Sequence, residues 1–440
     1  MRVIVTNSMS NEKHLRKTTY QLYPTPKQVV VLETLLRSHQ QLYNAALEER
    51  IDCYRKTGKS LSYADQCKSL TVLRTDLPEW AAAANCSSQQ MTLRRLDKAF
   101  AAFFRRVKAG QTPGFPRFKS LARMPGFSFK SPGDGWRFAP NVSEPDAEGM
   151  TRWTQHGSLR VSGVGQLRAR GQARQGGEIR SSDLLFRHGR WYLSLTLDIG
   201  RPERERTGDE AMAFDWGVQT FLSGVTHTGE VLHIDNPRWY QVDKAKVAAL
   251  AQAVSRKRNK RSNRRRKAVR VLAAAKGKTA RRRLDWSHKL AAQLAARFAL
   301  AATEQLTIAN MTRSAAGTVD EPGKNVAQKA GLNREILDTA PALFTSLLRC
   351  KVLETGGEWV DAPTRKLKPS QRCPKCWAVA KKTLSERVHL CAECGHTEPR
   401  DVASARVVLR YALEVNQTGR EPRLDGGVFR PRETPSFAQA

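Results

Sequence analysis

The chain has 440 residues, 40% of them hydrophobic, with 75 Lys or Arg against 41 Asp or Glu and a formal net charge of +34. That length exceeds a single core, and so much charge of one sign is held compact only by a polyanion; nucleic acid is the expected partner rather than an anionic membrane. No apolar run reaches the roughly 18 residues of a spanning helix, and MRVIVTNSMSNEKHLRK lacks a signal peptide's apolar stretch and cleavage site, so the expected location is cytoplasmic and, in a prokaryote, nucleoid-associated.

In chain order, KTTYQLYPTPKQ opens the ordered region. Thr18, Tyr20 and Leu22 alternate as a strand does, and Thr25-Pro26 reads as an N-cap and first helical residue. A helix runs to Gly58, a second begins near Ser62, and a third covers SSQQMTLRRLDKAFAAFFRRVKAG with Leu93, Leu96, Phe100, Phe103 and Phe104 on one face. GFPRFKS, 114–120, breaks the pattern. From there to about residue 200, short runs between Gly and Asn or Asp turns predict a small β-barrel, the last pair being a hairpin with HGR as its turn. The strand near residue 20 can join that barrel, which makes the helices an insertion.

RPERERTGDE, 201–210, is a polar linker. Beyond it MAFD, FLSGVT and VLHID read as strands, followed by a helical span in which residues 256–283 carry 15 Lys or Arg and no acid. LDWSHKLAAQLAARFALAA reads as an amphipathic helix leading into a strand at Leu306–Ala309, and NREILDTAPALFTSLLRCKVLETGG as another leading into EWVDAP. DVASARVVLRYALE reads as a closing helix, and the tail from about 416 as disordered.

Three features carry chemistry. Of eight cysteines, Cys373, Cys376, Cys391 and Cys394 form two CxxC pairs, a spacing that closes a tetrahedral, structural zinc site; the alternative is a pair of redox or empty dithiols. Asp215 ends MAFD, and Asp401 starts the closing helix. Each alone is explained as a turn or N-cap residue; together they suit two Mg²⁺ ions and phosphodiester hydrolysis. The basic residues expected on phosphates are Arg94, Arg105, Arg106, Arg117 and Lys119 in the first half, and Arg256, Lys257, Arg258, Lys260, Arg261, Arg264, Arg265, Arg266, Arg281, Arg282 and Arg283 in the second. Trp136, beside Arg137, is either a base-stacking platform or barrel core.

The order QLYPTPKQ, LDKAFAAFFRR, GFPRFKS, GRWYLSLTL, FDWG, RRRLDWSHKLA, SQRCPKC…CAECG, RDVASARVVL, across residues 16–413, resembles the transposon-encoded TnpB proteins and the miniature type V CRISPR effectors descended from them. The resemblance implies an RNA-guided DNA endonuclease of multidomain α+β architecture. Residues 1–24 hold an N-terminal segment and first barrel strand, 25–113 a helical recognition domain, and 114–200 a wedge β-barrel. Residues 201–369 and 398–415 form an RNase H-like RuvC nuclease, 370–397 its zinc-binding target-nucleic-acid-binding insertion, and 416–440 the tail. It implies guide RNA and target double-stranded DNA as partners and Mg²⁺ at Asp215 and Asp401; no membrane is expected, and the oligomeric state stays open between the paired miniature effectors and the single TnpB-like proteins, with a monomer slightly favoured. The family's second acid is a Glu in a pattern like I-E-N/D-L/M. Here Ile308-Ala309-Asn310-Met311 fills that pattern, so Ala309 stands at the expected acid, a deliberate Glu→Ala replacement being the favoured origin. Glu304, five residues back and so on the other face of a strand, and Asp320 and Glu321 in a Gly-rich loop are not expected to substitute, and the chain is expected to bind without cutting. Two other readings fit the residues: a naturally nuclease-dead guided repressor, and an unguided zinc protein that binds structured RNA.

Overall fold

The computed structural model describes residues 15–145, 147, 153–171, 176–200, 206–318, 320–383 and 386–419. The expected polar linker lies partly outside these residues, and the expected tail almost wholly. The chain divides into two compact units, one over Asn11–Arg201 and one from Pro202 onward.

The first unit joins a seven-stranded antiparallel sheet to a helical insertion. Strand β1 (Leu15–Tyr23) precedes four helices: α1 (Pro26–Thr57), α2 (Tyr63–Asp76), α3 (Pro78–Ala83) and α4 (Cys86–Lys108). Six strands follow: β2 (Gly126–Phe129), β3 (Trp136–Val142), β4 (Trp153–Val161), β5 (Gly165–Arg170), β6 (Glu178–Arg187) and β7 (Arg190–Asp198). Thr25 and Ser62 are N-caps with complete capping boxes, and Gly58 ends α1 in the left-handed conformation, as the sequence indicates. The sheet order is β2-β6-β7-β1-β5-β4-β3, so β1 lies in its middle. Its edge strands, β2 and β3, are consecutive in the chain. Laid flat, the sheet would separate them by about 29 Å, whereas the seven Cα steps from Phe129 to Trp136 span at most about 25 Å. The sheet therefore curls, and the Phe129 and Trp136 rings lie 6.1 Å apart. Its concave face buries Tyr20, Leu22, Phe127, Trp191 and Leu193. Trp136 belongs to this core, with its indole N–H bonded to the Ser131 carbonyl at 2.8 Å, and is not a stacking platform. Arg95 of α4 donates to the Gly126 carbonyl at 2.6 Å and to Ser128 Oγ at 3.0 Å, fastening the helices to the sheet.

The second unit is a five-stranded mixed sheet between helices. Its elements are β8 (Glu210–Trp216), β9 (Thr220–Thr226), β10 (Val231–Asp235), α5 (Trp239–Ser255), α6 (Asn263–Arg297), β11 (Phe298–Glu304), α7 (Ile308–Met311), α8 (Val326–Thr339), α9 (Pro341–Glu354), β12 (Glu358–Ala362), α10 (Thr364–Leu367), β13 (Val388–Leu390), β14 (Thr397–Pro399) and α11 (Arg400–Thr418). The sheet order is β10-β9-β8-β11-β12. β8, β9 and β10 run antiparallel in sequence, while β11 is parallel to both β8 and β12. Strand alternation sends Met212 and Phe214 of β8 toward α6 and α9, and Ala211 and Ala213 toward α11. Along β11, Ala301 faces α6 and α9, whereas Leu300 and Ala302 face α11.

Two expectations are corrected here. The helix read through Ala302 stops at Arg297, and Phe298–Glu304 is a strand. Residues 298–302 are all buried, because helices cover both faces of this parallel strand; it therefore lacks the alternation that marks a half-exposed one. Leu306–Ala309 is not a strand: residues 305–307 are irregular, and Ala309 lies in the four-residue helix α7.

Candidate active site and metal centre

The alternation that orders the core also builds the site. On β8 the series Ala211, Ala213 continues to Asp215; on β11 the series Leu300, Ala302 continues to Glu304. Both carboxylates therefore face α11. The parallel register pairs Thr303 with Phe214, so Glu304 stands beside Asp215 where the strands end. Asp401 enters from α11, in its first turn, where the helix dipole favours a negative charge. It is not the N-cap, which is Pro399. One turn on, buried Ser404 donates its hydroxyl to Glu304 Oε1 at 3.0 Å, and the same hydroxyl favours the charged form of neighbouring Asp215.

Burial raises the Asp215 carboxyl well above the usual range, and the charges of Glu304 and Asp401 add to the effect, against the Trp216 N–H and the Ser404 hydroxyl. Burial also raises Glu304, opposed by the Ser404 and Thr364 hydroxyls and by Arg400. Among the described residues no Lys or Arg forms an ion pair with any of the three acids. Half-buried carboxylates that repel one another, with no ion-paired Lys or Arg and only the nearby charge of Arg400 to offset them, are a donor set suited to hard divalent cations. The acid beside Asp215 is thus Glu304, and Ala309 holds no place in this cluster. Reading Leu306–Ala309 as the strand displaced the expected position by five residues. Rejecting Glu304 for pointing to the other face presupposes a strand through Ala309; with the strand ending at Glu304 that objection falls, and FALAATE ends in an acid as EAMAFD does.

The zinc expectation fits. The sulfur atoms of Cys373, Cys376, Cys391 and Cys394 all lie within 4.8 Å of one another, with Cys373–Cys394 at 3.6 Å and Cys376–Cys391 at 3.4 Å. A tetrahedral ion with Zn–S near 2.3 Å places its sulfurs about 3.8 Å apart. Each pair is a tight turn ended by a left-handed residue, Trp377 (φ 70°) and Gly395 (φ 68°). Four sulfurs complete the shell without His389 or His396. His396 instead pairs with Glu398 at 2.9 Å.

Arginines of α11 tie this module to the acids. Arg400, adjacent to Asp401, donates to the Thr383 carbonyl at 2.8 Å. Arg406 pairs with Glu398 at 2.8 Å. Arg410 donates to the Pro374 carbonyl at 3.0 Å and lies 4.6 Å over the Trp377 ring.

The basic residues separate into two groups. Arg256, Arg258, Lys260, Arg261, Arg264, Arg266 and Arg281 are exposed around the α5–α6 turn and along α6, as are Arg105, Arg106 and Arg117 in the first unit. Others are engaged within the fold. Lys257 and Arg265 bond backbone carbonyls of the same turn, Arg282 pairs with Asp243 at 3.5 Å, and Arg283 bonds Asp338. Arg94 is exposed but lies over the Tyr63 ring at 4.0 Å. Lys119 is half-buried 4.1 Å from the Tyr43 ring centroid, and burial lowers its pKa. Burial of Lys119 and the acid partners of Arg282 and Arg283 leave these three less available to phosphates than the exposed arginines.

The family described as "Probable transposase" (OrfB_IS605) matches residues 194–315, "Cas12f1-like, TNB domain" matches 342–408, and "Helix-turn-helix domain" matches 11–59. The last span holds β1 and one long helix. The candidate RNA-guided DNA endonuclease InsQ of Escherichia coli strain K12 is 27% identical over 399 residues, covering 90% of this chain and 92% of that one. A candidate RNA-guided DNA endonuclease of Streptomyces pristinaespiralis is 28% identical over 406 residues, covering 91% and 90%. Among solved structures, a Cas12f1–sgRNA–target DNA complex shares 14% identity over 90% of this chain and 98% of that one, with a TM-score of 0.32. The mini-RNA-guided endonuclease CRISPR-Cas_phi3 shares 9% over 93% and 94%, with a TM-score of 0.47. Among the described residues no helix is long and apolar enough to cross a membrane.

Proposed function

We infer that this chain, which belongs to the TnpB-like family that also includes the miniature type V CRISPR effectors, is an RNA-guided DNA endonuclease with a complete acidic site. The observation that carries the reading is the convergence of Asp215, Glu304 and Asp401 on one face of the five-stranded sheet, with Ser404 bonded to Glu304 and acting on Asp215. The strand order and mixed orientation support an RNase H-like nuclease. The curled sheet supports the wedge assignment for the first unit.

Asp215, Glu304 and Asp401 would hold Mg²⁺. When bound, such ions activate a water and stabilise the leaving oxygen of a phosphodiester. Ser404 fixes the orientation of Glu304 and Asp215. The surrounding apolar core keeps the carboxylates in place without basic partners that would compete for them. In the hydrolysis, the water oxygen bonds phosphorus, the bridging ester bond breaks, and the departing oxygen takes a proton. The four cysteines hold a structural zinc that does no chemistry. The guide RNA reads the target by base pairing, the first unit grips the duplex and a short flanking motif, and the exposed arginines of the α5–α6 turn and of α6 hold the RNA.

The test is cleavage of a matched duplex by the protein loaded with guide RNA and Mg²⁺. The unaltered chain cuts. Asp215→Ala still binds the duplex and leaves it intact. Binding without cutting by the unaltered chain at saturating Mg²⁺ returns the reading to a guided repressor, and RNA without a segment matching DNA returns it to an unguided RNA-binding protein.

A further inference from the structure

The end of α4 and the loop after it form a surface that the nuclease chemistry does not use. Phe104, Phe115 and Phe118 are 53%, 48% and 52% exposed. Phe103 packs edge-on against both Phe104 and Phe115, with ring centroids 5.2 and 5.3 Å apart, so the helix end and the loop share one aromatic patch. The Arg106 guanidinium lies over Gly114, 3.7 Å from where a Cβ would stand. The loop is fastened to α1: Lys119 N–H donates to Asn44 at 2.9 Å, and the Lys119 carbonyl accepts from Asn44 at 3.0 Å and Gln40 at 2.7 Å. Pro113 and Pro116 stiffen it. The aromatic rings are thus held facing water by a built loop.

Charge identifies what covers them. Residues 98–133 contain eight Lys or Arg and no Asp or Glu. A second copy of the chain, meeting this patch about a two-fold axis, would bring two such basic surfaces face to face, which repulsion opposes. A nucleic acid meets both properties at once, phosphates on the arginines and base faces on the phenylalanines. A duplex interior keeps its base faces stacked, so the bases must be unpaired. Exposed aromatic surface is an aggregation liability unless a lasting partner covers it; the guide RNA is carried throughout, whereas DNA is met only at a target.

We propose that Phe104 and Phe115, flanked by Arg105, Arg106 and Arg117, form a platform on which unpaired bases of the guide RNA stack. The proposal rests on the RNA-guided reading above and adds a named contact to it. The experiment uses RNA recovered from the purified full chain, transcribed with 4-thiouridine. Photo-crosslinks are mapped on the unaltered protein, and affinity is measured for that RNA, for single-stranded DNA and for duplex DNA. Crosslinks are expected within residues 103–118. The Phe104→Ala/Phe115→Ala variant is expected to lose roughly 5- to 100-fold in RNA affinity with its fold retained by circular dichroism, and Phe104→Trp/Phe115→Trp to retain binding. Equal RNA affinity in the alanine variant, crosslinks only elsewhere, loss of DNA binding alone, or a changed oligomeric state with RNA affinity intact would each overturn the platform while leaving the guided reading standing. An unaltered protein that retains no RNA overturns both.

Discussion

At the scale of single residues, the site is governed by how carboxylates are held rather than by how many there are. Asp215 and Glu304 are both raised by burial. A carboxyl whose folded pKa exceeds its unfolded value binds its proton more tightly when folded. The stability it contributes is present below the unfolded value and lost as pH rises through the folded one. Without metal, the melting temperature is therefore expected to rise as pH falls from neutral through these raised values, and Mg²⁺ at neutral pH to raise it likewise. Calorimetry with and without Mg²⁺ checks both. Asp215→Asn removes the buried charge and is expected to melt higher than the parent while losing cleavage; a lower melting temperature would contradict the electrostatic account. Cleavage at limiting Mg²⁺ should fall on the acid side, starting above the ordinary carboxylate range, because protonated acids release the metal. Ser404→Ala removes the hydroxyl that donates to Glu304, and its cleavage rate is expected to fall roughly 10- to 100-fold with duplex binding unchanged, an effect on the scale of losing one preorganised donor.

At the scale of elements, the sequence was legible wherever a local rule decided the structure. Thr25 and Ser62 announced their helices, Gly58 ended one, His188-Gly189 turned the last hairpin, and the two CxxC pairs announced the four-cysteine cluster. β11 was not legible. Its alanines read as helix by propensity, and only tertiary cover on both faces makes FALAATE a strand. That one boundary moved the apparent acid position from Glu304 to Ala309. The difference between exposed Arg117 and half-buried Lys119 was hidden for a related reason: burial over Tyr43 cannot be seen from a run of basic letters. The link between the zinc module and α11 is a tertiary feature too. Trp377 reaches the core beneath α11 and accepts the Arg410 guanidinium on its ring. Trp377→Ala is expected to retain zinc, as read by metal analysis, and to raise the Mg²⁺ concentration needed for half-maximal cleavage severalfold, because Arg400, Arg406 and Arg410 then brace Asp401 against a looser support. An unchanged Mg²⁺ dependence would show that the module and the acids are uncoupled.

At the scale of the whole molecule, a net charge of +34 sets the terms of binding. RNA affinity should decline linearly in log–log terms as salt rises, and neutralising Arg258, Arg261 and Arg264 together should lower the slope by up to about 3, near one for each phosphate left without its arginine. The same changes at Arg282 and Arg283, which are engaged with Asp243 and Asp338, should cost stability rather than slope. The central claim, however, concerns the acid that completes the nuclease. Its most direct measurement is cleavage of a guide-matched duplex in Mg²⁺ by the parent, Glu304→Ala and Ala309→Glu, with duplex binding measured alongside. The account predicts cutting by the parent, a loss of at least about 10³-fold in Glu304→Ala with binding retained, and no gain in Ala309→Glu. An inactive parent that Ala309→Glu switches on, or a Glu304→Ala variant that cuts at the parental rate, would contradict it.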